Sequence, residues 1–112
     1  MKKRADITKL TNDELFELSR GEDQPVWFGE LYRRYIPMVY GLCLKYLGNE
    51  ADAQDAVMDL FEEVSGKIKQ YDIQNFHTWL YSVVKNHCLA RLRRAKRHIF
   101  VNIDEEFMEN GH

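Results

Sequence analysis

The chain has 112 residues, 45% of them hydrophobic, and its 16 Lys and Arg against 18 Asp and Glu leave a formal net charge of −2. That size suits one small domain with a core of three or four helices, and excludes both a disordered polymer and a protein that binds nucleic acid through bulk positive charge. Apolar runs fall well short of the roughly 20 residues that span a bilayer, so no membrane segment is expected.

Lys2-Lys3-Arg4 leads into no apolar stretch, so the start does not read as a signal peptide, and a cytoplasmic location is expected. Residues 1–10 are read as an N-terminal extension. Thr11-Asn12-Asp13-Glu14 has the form of a capping box and predicts a short helix through Leu15 and Leu18, ending near Gly21. Pro25 suits the first position of the next helix, where Phe28, Leu31, Tyr35, Val39, Leu42 and Tyr46 recur at helical spacing. Pro37 lies inside that pattern and is expected to kink or break it. Gly48 closes the helix and Asn49 caps the third, expected from about Glu50 to Ser65. Its inner stripe is read as Ala53, Val57, Leu60, Phe61 and Val64, and its outer row as Asp52, Asp55, Asp59 and Glu62. After an irregular stretch containing Lys67, Lys69 and Tyr71, Asn75 caps a long last helix. The expected fold is all-α, a compact bundle of three to four helices over residues 11–100 with a long basic C-terminal helix. Residues 101–112 are expected as a flexible acidic tail or the start of an interdomain linker.

The small net charge hides a polarised distribution. Glu50 to Glu63 holds six acids and no base, while Ile73 to Phe100 holds six Lys or Arg and no acid. A chain divided this way is expected to meet two partners of opposite charge. On the last helix Trp79, Ser82, Asn86, Ala90, Arg93 and Arg97 fall on one line, and Leu80, Val84, Cys88, Leu92 and Ala95 on the opposite, core-facing one. The helix dipole accounts for one or two terminal cations, not five from Arg91 to Arg97, which points to nucleic acid. Trp79 is the stacking candidate on the polar line, and the Asn86 amide has the two-bond geometry that reads a base edge. Phe76 and Tyr81 suit core packing. Taken alone, the acidic row of the third helix reads as a solvated face; its lack of interleaved Lys leaves a basic partner helix as the alternative. Cys43 and Cys88 are read as two small buried hydrophobes. No Cys/His ligand spacing, catalytic constellation or Gly-rich phosphate loop is legible, so no metal, cofactor or enzymatic activity is expected.

Three blocks together resemble region two of bacterial RNA polymerase sigma factors of the extracytoplasmic-function (ECF) type: FGELYRRYIPMVYGLCLKYLG from Phe28, NEADAQDAVMDLF from Asn49, and NFHTWLYSVVKNHCLARLRR from Asn75. The resemblance implies a promoter-recognition module without catalysis of its own. Asp52, Gln54, Asp55, Met58, Asp59 and Glu62 would dock on the clamp helices of the polymerase β′ subunit. The Gly66–Phe76 connection, with Tyr71, Asn75 and Phe76, would capture a flipped non-template base of the promoter −10 element. Asn86 matches the family asparagine near that pocket, with Trp79 the stacking candidate beside it, and Arg93, Arg94 and Arg97 would hold backbone phosphates. An anti-sigma factor is a further partner the family suggests. Departures are Ser65-Gly66, where many members carry an aromatic and where the helix is expected to end early, and Ala90, where the family pattern has Asp. Arg91 follows it on the side assigned to the core. These factors normally continue into a second helix-turn-helix domain, so the chain is expected to be either a fragment or a free-standing module. The alternative reading is a regulatory domain that binds protein and no DNA; a double-strand-binding helix-turn-helix protein is weaker, because the connection before the last helix is long and irregular.

Overall fold

Helix starts follow from which side chains can serve the free backbone amides of a first turn. Thr11 Oγ1 accepts from the Glu14 amide at 3.1 Å while Glu14 Oε1 accepts from the Thr11 amide at 2.8 Å, and α1 (Asn12–Leu18) begins there. Asn49 Oδ1 accepts from the Asp52 amide at 2.8 Å and starts α3 (Glu50–Lys67). Asn75 Oδ1 accepts from the Thr78 amide at 2.9 Å and starts α4 (Phe76–Glu109). Between α1 and α3, α2 (Gln24–Leu47) takes Pro25 into its first turn and ends on Gly48, whose φ of 81° lies in the left-handed region that glycine favours. This computed structural model describes the backbone of residues 6–109 and the side chains of residues 6–97. Among them are these four α-helices, one 3-10 turn and no strand, the all-α bundle that the patterning predicts.

The boundaries depart from expectation in several places. Pro37 does not break α2: the missing amide would have served the Arg33 carbonyl one turn back, and both residues are exposed, so water can serve it instead. Nor does α3 stop at Ser65. It continues through Gly66 to Lys67 because Val64 and Ile68, both fully buried, keep the backbone turning onto the core. Helix α4 runs on to Glu109 where a flexible tail was expected, and residues 98–109 contain no Gly or Pro to end it. Residues 1–5 of the expected extension and residues 110–112 of the expected tail lie outside the described residues.

The rest of that extension is folded. Asp6 caps a 3-10 turn, Ile7–Lys9, and Arg34 of α2 holds the segment by donating to the carbonyls of Leu10 (2.6 Å), Ile7 (3.1 Å) and Thr8 (3.1 Å). Glu30 braces that guanidinium at 2.9 Å, and its bonds to Arg33 and Arg34 draw its carboxyl from 4.5 to about 2. A depressed carboxyl pKa stabilises the fold above the unfolded value and ceases to do so as pH falls through the folded one. Amide protection over Ile7–Leu10 should therefore weaken between pH 4.5 and about 2, relative to Leu80–Val84 in the core. The Asp6 carboxyl, also lowered by its bonds to Thr8, caps the same turn, so Glu30→Gln is the control. Hydrogen exchange over Ile7–Leu10 in that variant should already be faster near neutral pH, and exchange equal to the wild type would show that Glu30 does not brace the turn.

The core joins Phe28, Leu31, Val39 and Cys43 of α2 to Ala53, Ala56, Leu60 and Val64 of α3 and to Phe76, Leu80, Val84 and Cys88 of α4. Cys43 and Cys88 are fully buried free thiols with Sγ atoms 3.7 Å apart, and burial pushes Cys43 up to about 12 and Cys88 upward, so both behave as inert packing groups. The inner stripe of α3 is centred one position away from expectation. Ala56 is buried, whereas Val57 is half-buried and Phe61 is 38% exposed. Leu92 and Ala95, read as core, are exposed: they border an open groove with Leu47 at the end of α2 and Asp52 near the start of α3.

Candidate nucleic-acid interface and acidic docking face

The loop between α3 and α4 is pinned at two points, Ile68 and Ile73, both buried. Between them Lys67 accepts turn bonds from the amides of Gln70 and Tyr71, and Arg20 donates to the Tyr71 carbonyl at 3.3 Å. Tyr71 is thereby presented outward, with its ring centroid 6.5 Å from that of Trp79 in the first turn of α4. Trp79 is half-buried and rests on Phe76 at 6.0 Å. The pair forms an aromatic platform with one face supported by the core. Asn75 lies beside it at the start of α4, its Oδ1 engaged in capping.

Phe76 itself does not belong to the platform's surface. Its ring is 7% exposed and enclosed by Phe16 at 5.4 Å and Tyr35 at 5.2 Å, so it supports Trp79 and cannot stack on a base. Beyond Trp79 the polar line of α4 is solvent-facing as expected: Ser82, Asn86, Arg93 and Arg97 are exposed. At 1.5 Å per residue, roughly 27 Å of helix separates Trp79 from Arg97. Arg94 leaves this line and borders a groove with Leu47, Asp52, Asp55 and Leu92, turned toward the start of α3.

All six candidates on α3, Asp52, Gln54, Asp55, Met58, Asp59 and Glu62, are exposed, Met58 to 72%. The row is flanked by an apolar cleft of about 320 Å³ between α2 and α3, lined by Tyr32, Ile36, Val57, Met58 and Phe61 with Arg33 and Glu62 at the sides. Ile36, Val57 and Phe61 were not among the expected contact residues. An Ile beside Pro37, outside the apolar spacing of α2, was the one signal for this cleft that the sequence carried.

Residues 31–98 match the description of the Sigma-70 region 2 family. The chain belongs to that family. It is 30% identical over 78 residues to the ECF RNA polymerase sigma factor SigW of Bacillus subtilis, covering 69% of this chain and 42% of that protein. It is 33% identical over 73 residues to the ECF RNA polymerase sigma factor SigE of Mycolicibacterium smegmatis, covering 65% and 28%. Against the RNA polymerase sigma-H factor of Pseudomonas aeruginosa it is 28% identical over 112 residues, covering 95% and 57%. The chain thus spans less than two thirds of each relative. No solved structure matches.

The matched part of this region 2 chain contains both faces, and two side chains, Glu63 of α3 and Arg91 of α4, tie those helices together. Glu63 bonds Lys67 at 2.7 Å and His87 Nδ1 at 3.1 Å; burial alone would raise the Glu63 pKa, but these two partners outweigh it and leave it lowered. Arg91 reaches from α4 to both Asp55 and Asp59. Among the described residues no helix is long and apolar enough to cross a membrane.

Proposed function

We propose that the domain is the polymerase-docking and −10-reading module of a transcription initiation factor, acting without catalysis in the cytoplasm over about residues 11–100. The observation that carries this reading is the pairing, on helices joined by one loop, of an exposed acidic row and an acid-free aromatic and cationic row. The α3 row suits a helical partner with a cationic edge, and the cleft beside Met58 accepts an apolar side chain from the same helix. For a sigma-factor region 2 that partner is the pair of β′ clamp helices. An anti-sigma factor would act by covering one of the two faces.

On α4 the Tyr71–Trp79 platform takes an unstacked base, Asn75 and Asn86 offer amides to base edges, and Arg93, Arg94 and Arg97 neutralise phosphates. Taking a base out of a duplex costs a few kcal/mol, and stacking returns roughly 1–3 kcal/mol per base. A −10 strand that is already single avoids most of that cost. The free domain is therefore expected to bind it through stacking and phosphate contacts alone, and to hold it more tightly when bound to core polymerase. With core polymerase and a labelled non-template −10 strand, Trp79→Ala should weaken binding by about 1–3 kcal/mol, roughly 5- to 150-fold. Arg93→Gln with Arg97→Gln should lower the slope of log affinity against log salt by about 1.4, at about 0.7 per phosphate of a single strand. Equal binding of −10 and scrambled strands in the presence of polymerase would sink the proposal.

A further inference from the structure

Arg91 occupies the bundle-facing side of α4, in line with Leu80 and Val84, where the periodicity calls for a hydrophobe. It crosses to α3. Its Nη2 donates to the carboxylates of Asp55 and Asp59, the latter at 2.8 Å, and its Nη1 donates to the Asp52 carbonyl at 3.2 Å. The guanidinium side chain is 20% exposed, while its acceptors remain 66% and 54% exposed for Asp55 and Asp59. One cation therefore holds the inner edge of two carboxylates whose outer edges face solvent. The other charged groups at this place are Asp52 and Arg94, which line the same groove. No Lys or Arg lies between Glu50 and Glu63 to take its place.

We propose that Arg91 is a placeholder cation. It occupies Asp55 and Asp59 in the free domain, and a cationic helix docking on α3 competes with it and releases it toward the phosphate-binding end of α4. The inference rests on the docking reading above. Ion pairs as exposed as these are weak, so an incoming cation can replace one. The freed guanidinium sits one helical turn from Arg94 on the same groove, so docking adds one cation beside that phosphate-binding candidate. Linkage requires the converse too: a bound strand that recruits Arg91 exposes the carboxylates to the partner.

Arg91→Met keeps the length of the side chain and removes its charge. Its affinity for core RNA polymerase is expected to rise about 3- to 10-fold, because the two carboxylates lose their internal partner. A mere strut between α3 and α4 would give unchanged or weaker docking on removal. In the wild type, saturating polymerase should steepen the salt slope for the −10 strand by about 0.7, one phosphate contact, and Arg91→Met should lack that increment. Wild-type protein that fails to bind polymerase would overturn the docking reading itself. Wild-type docking with no gain in a folded Arg91→Met domain, checked by circular dichroism, would overturn the placeholder alone. Should that variant not fold, the guanidinium proton signals of Arg91 in the wild type decide: faster exchange on docking supports release, and unchanged exchange refutes it.

Discussion

Phe28→Ala is expected to bring the domain to the edge of unfolding. Phe28 is fully buried on α2, and its ring meets Tyr32 at 5.8 Å and Phe61 at 5.2 Å, so it fills the seam where α2 packs on α3. Removing a buried Phe ring costs about 3–5 kcal/mol, the transfer energy of the lost atoms plus the cavity left behind. A domain of this size has roughly 5–15 kcal/mol in all, so the loss consumes a large part of it. In a thermal melt followed by circular dichroism the midpoint should fall by about 15 °C or more, at about 4–8 °C per kcal/mol. Phe61→Ala is the informative comparison, because Phe61 is 38% exposed at the mouth of the α2–α3 cleft and its site opens to water. It should cost about 1–2 kcal/mol, as expected for a half-buried ring that leaves no closed cavity. Similar losses in the two variants would mean that the α2–α3 seam is packed more loosely than the ring geometry implies.

The legible parts of this fold are those decided within one helical turn. Thr11, Asn49 and Asn75 act on amides three residues away, and Gly48 acts on its own backbone, so their roles could be read locally. Periodicity also located a buried face on each helix, but a 3.6-residue repeat tolerates an error of one position in the centre of that face. On α3 the error exchanged Ala56 for Phe61, and so hid the apolar cleft beside the acidic row. Phe76 illustrates a different limit. Its neighbours in sequence are polar and aromatic, and its ring is enclosed by Phe16 and Tyr35, 60 and 41 positions earlier and in contact at 5.4 and 5.2 Å. Arg91 is the extreme case. Its partners lie 36 and 32 positions earlier, so the same residue that broke the apolar pattern of α4 could not be seen to complete the acidic pattern of α3. The sign of each face survived these errors, because charge segregation is a property of whole segments.

Neutralising Asp55 and Asp59 together, as Asp55→Asn with Asp59→Asn, should weaken binding to core polymerase by roughly 30-fold, about 2 kcal/mol. The figure takes about 1 kcal/mol for each carboxylate lost at a partly solvated contact, with Asp52 and Glu62 left at the two ends of the row. Asn is chosen because it keeps the shape and one acceptor for Arg91. Replacing both with Arg would set two further guanidiniums against that residue and confuse a docking defect with a folding one. Folding should change little in the Asn pair: Arg91 retains the Asp52 carbonyl, and its own side chain is already 20% exposed and free to turn outward. The loss should be largest at low ionic strength and shrink toward 1 M salt, where the screening length falls to about 3 Å. Glu17→Gln, an exposed carboxylate on α1, removes one charge away from the row and should leave the affinity unchanged. If the Asn pair binds polymerase as tightly as the wild type at low salt, α3 is not the docking face. If the loss is the same at every salt concentration, short-range hydrogen bonds of the two carboxylates, and not screened charge, carry the contact.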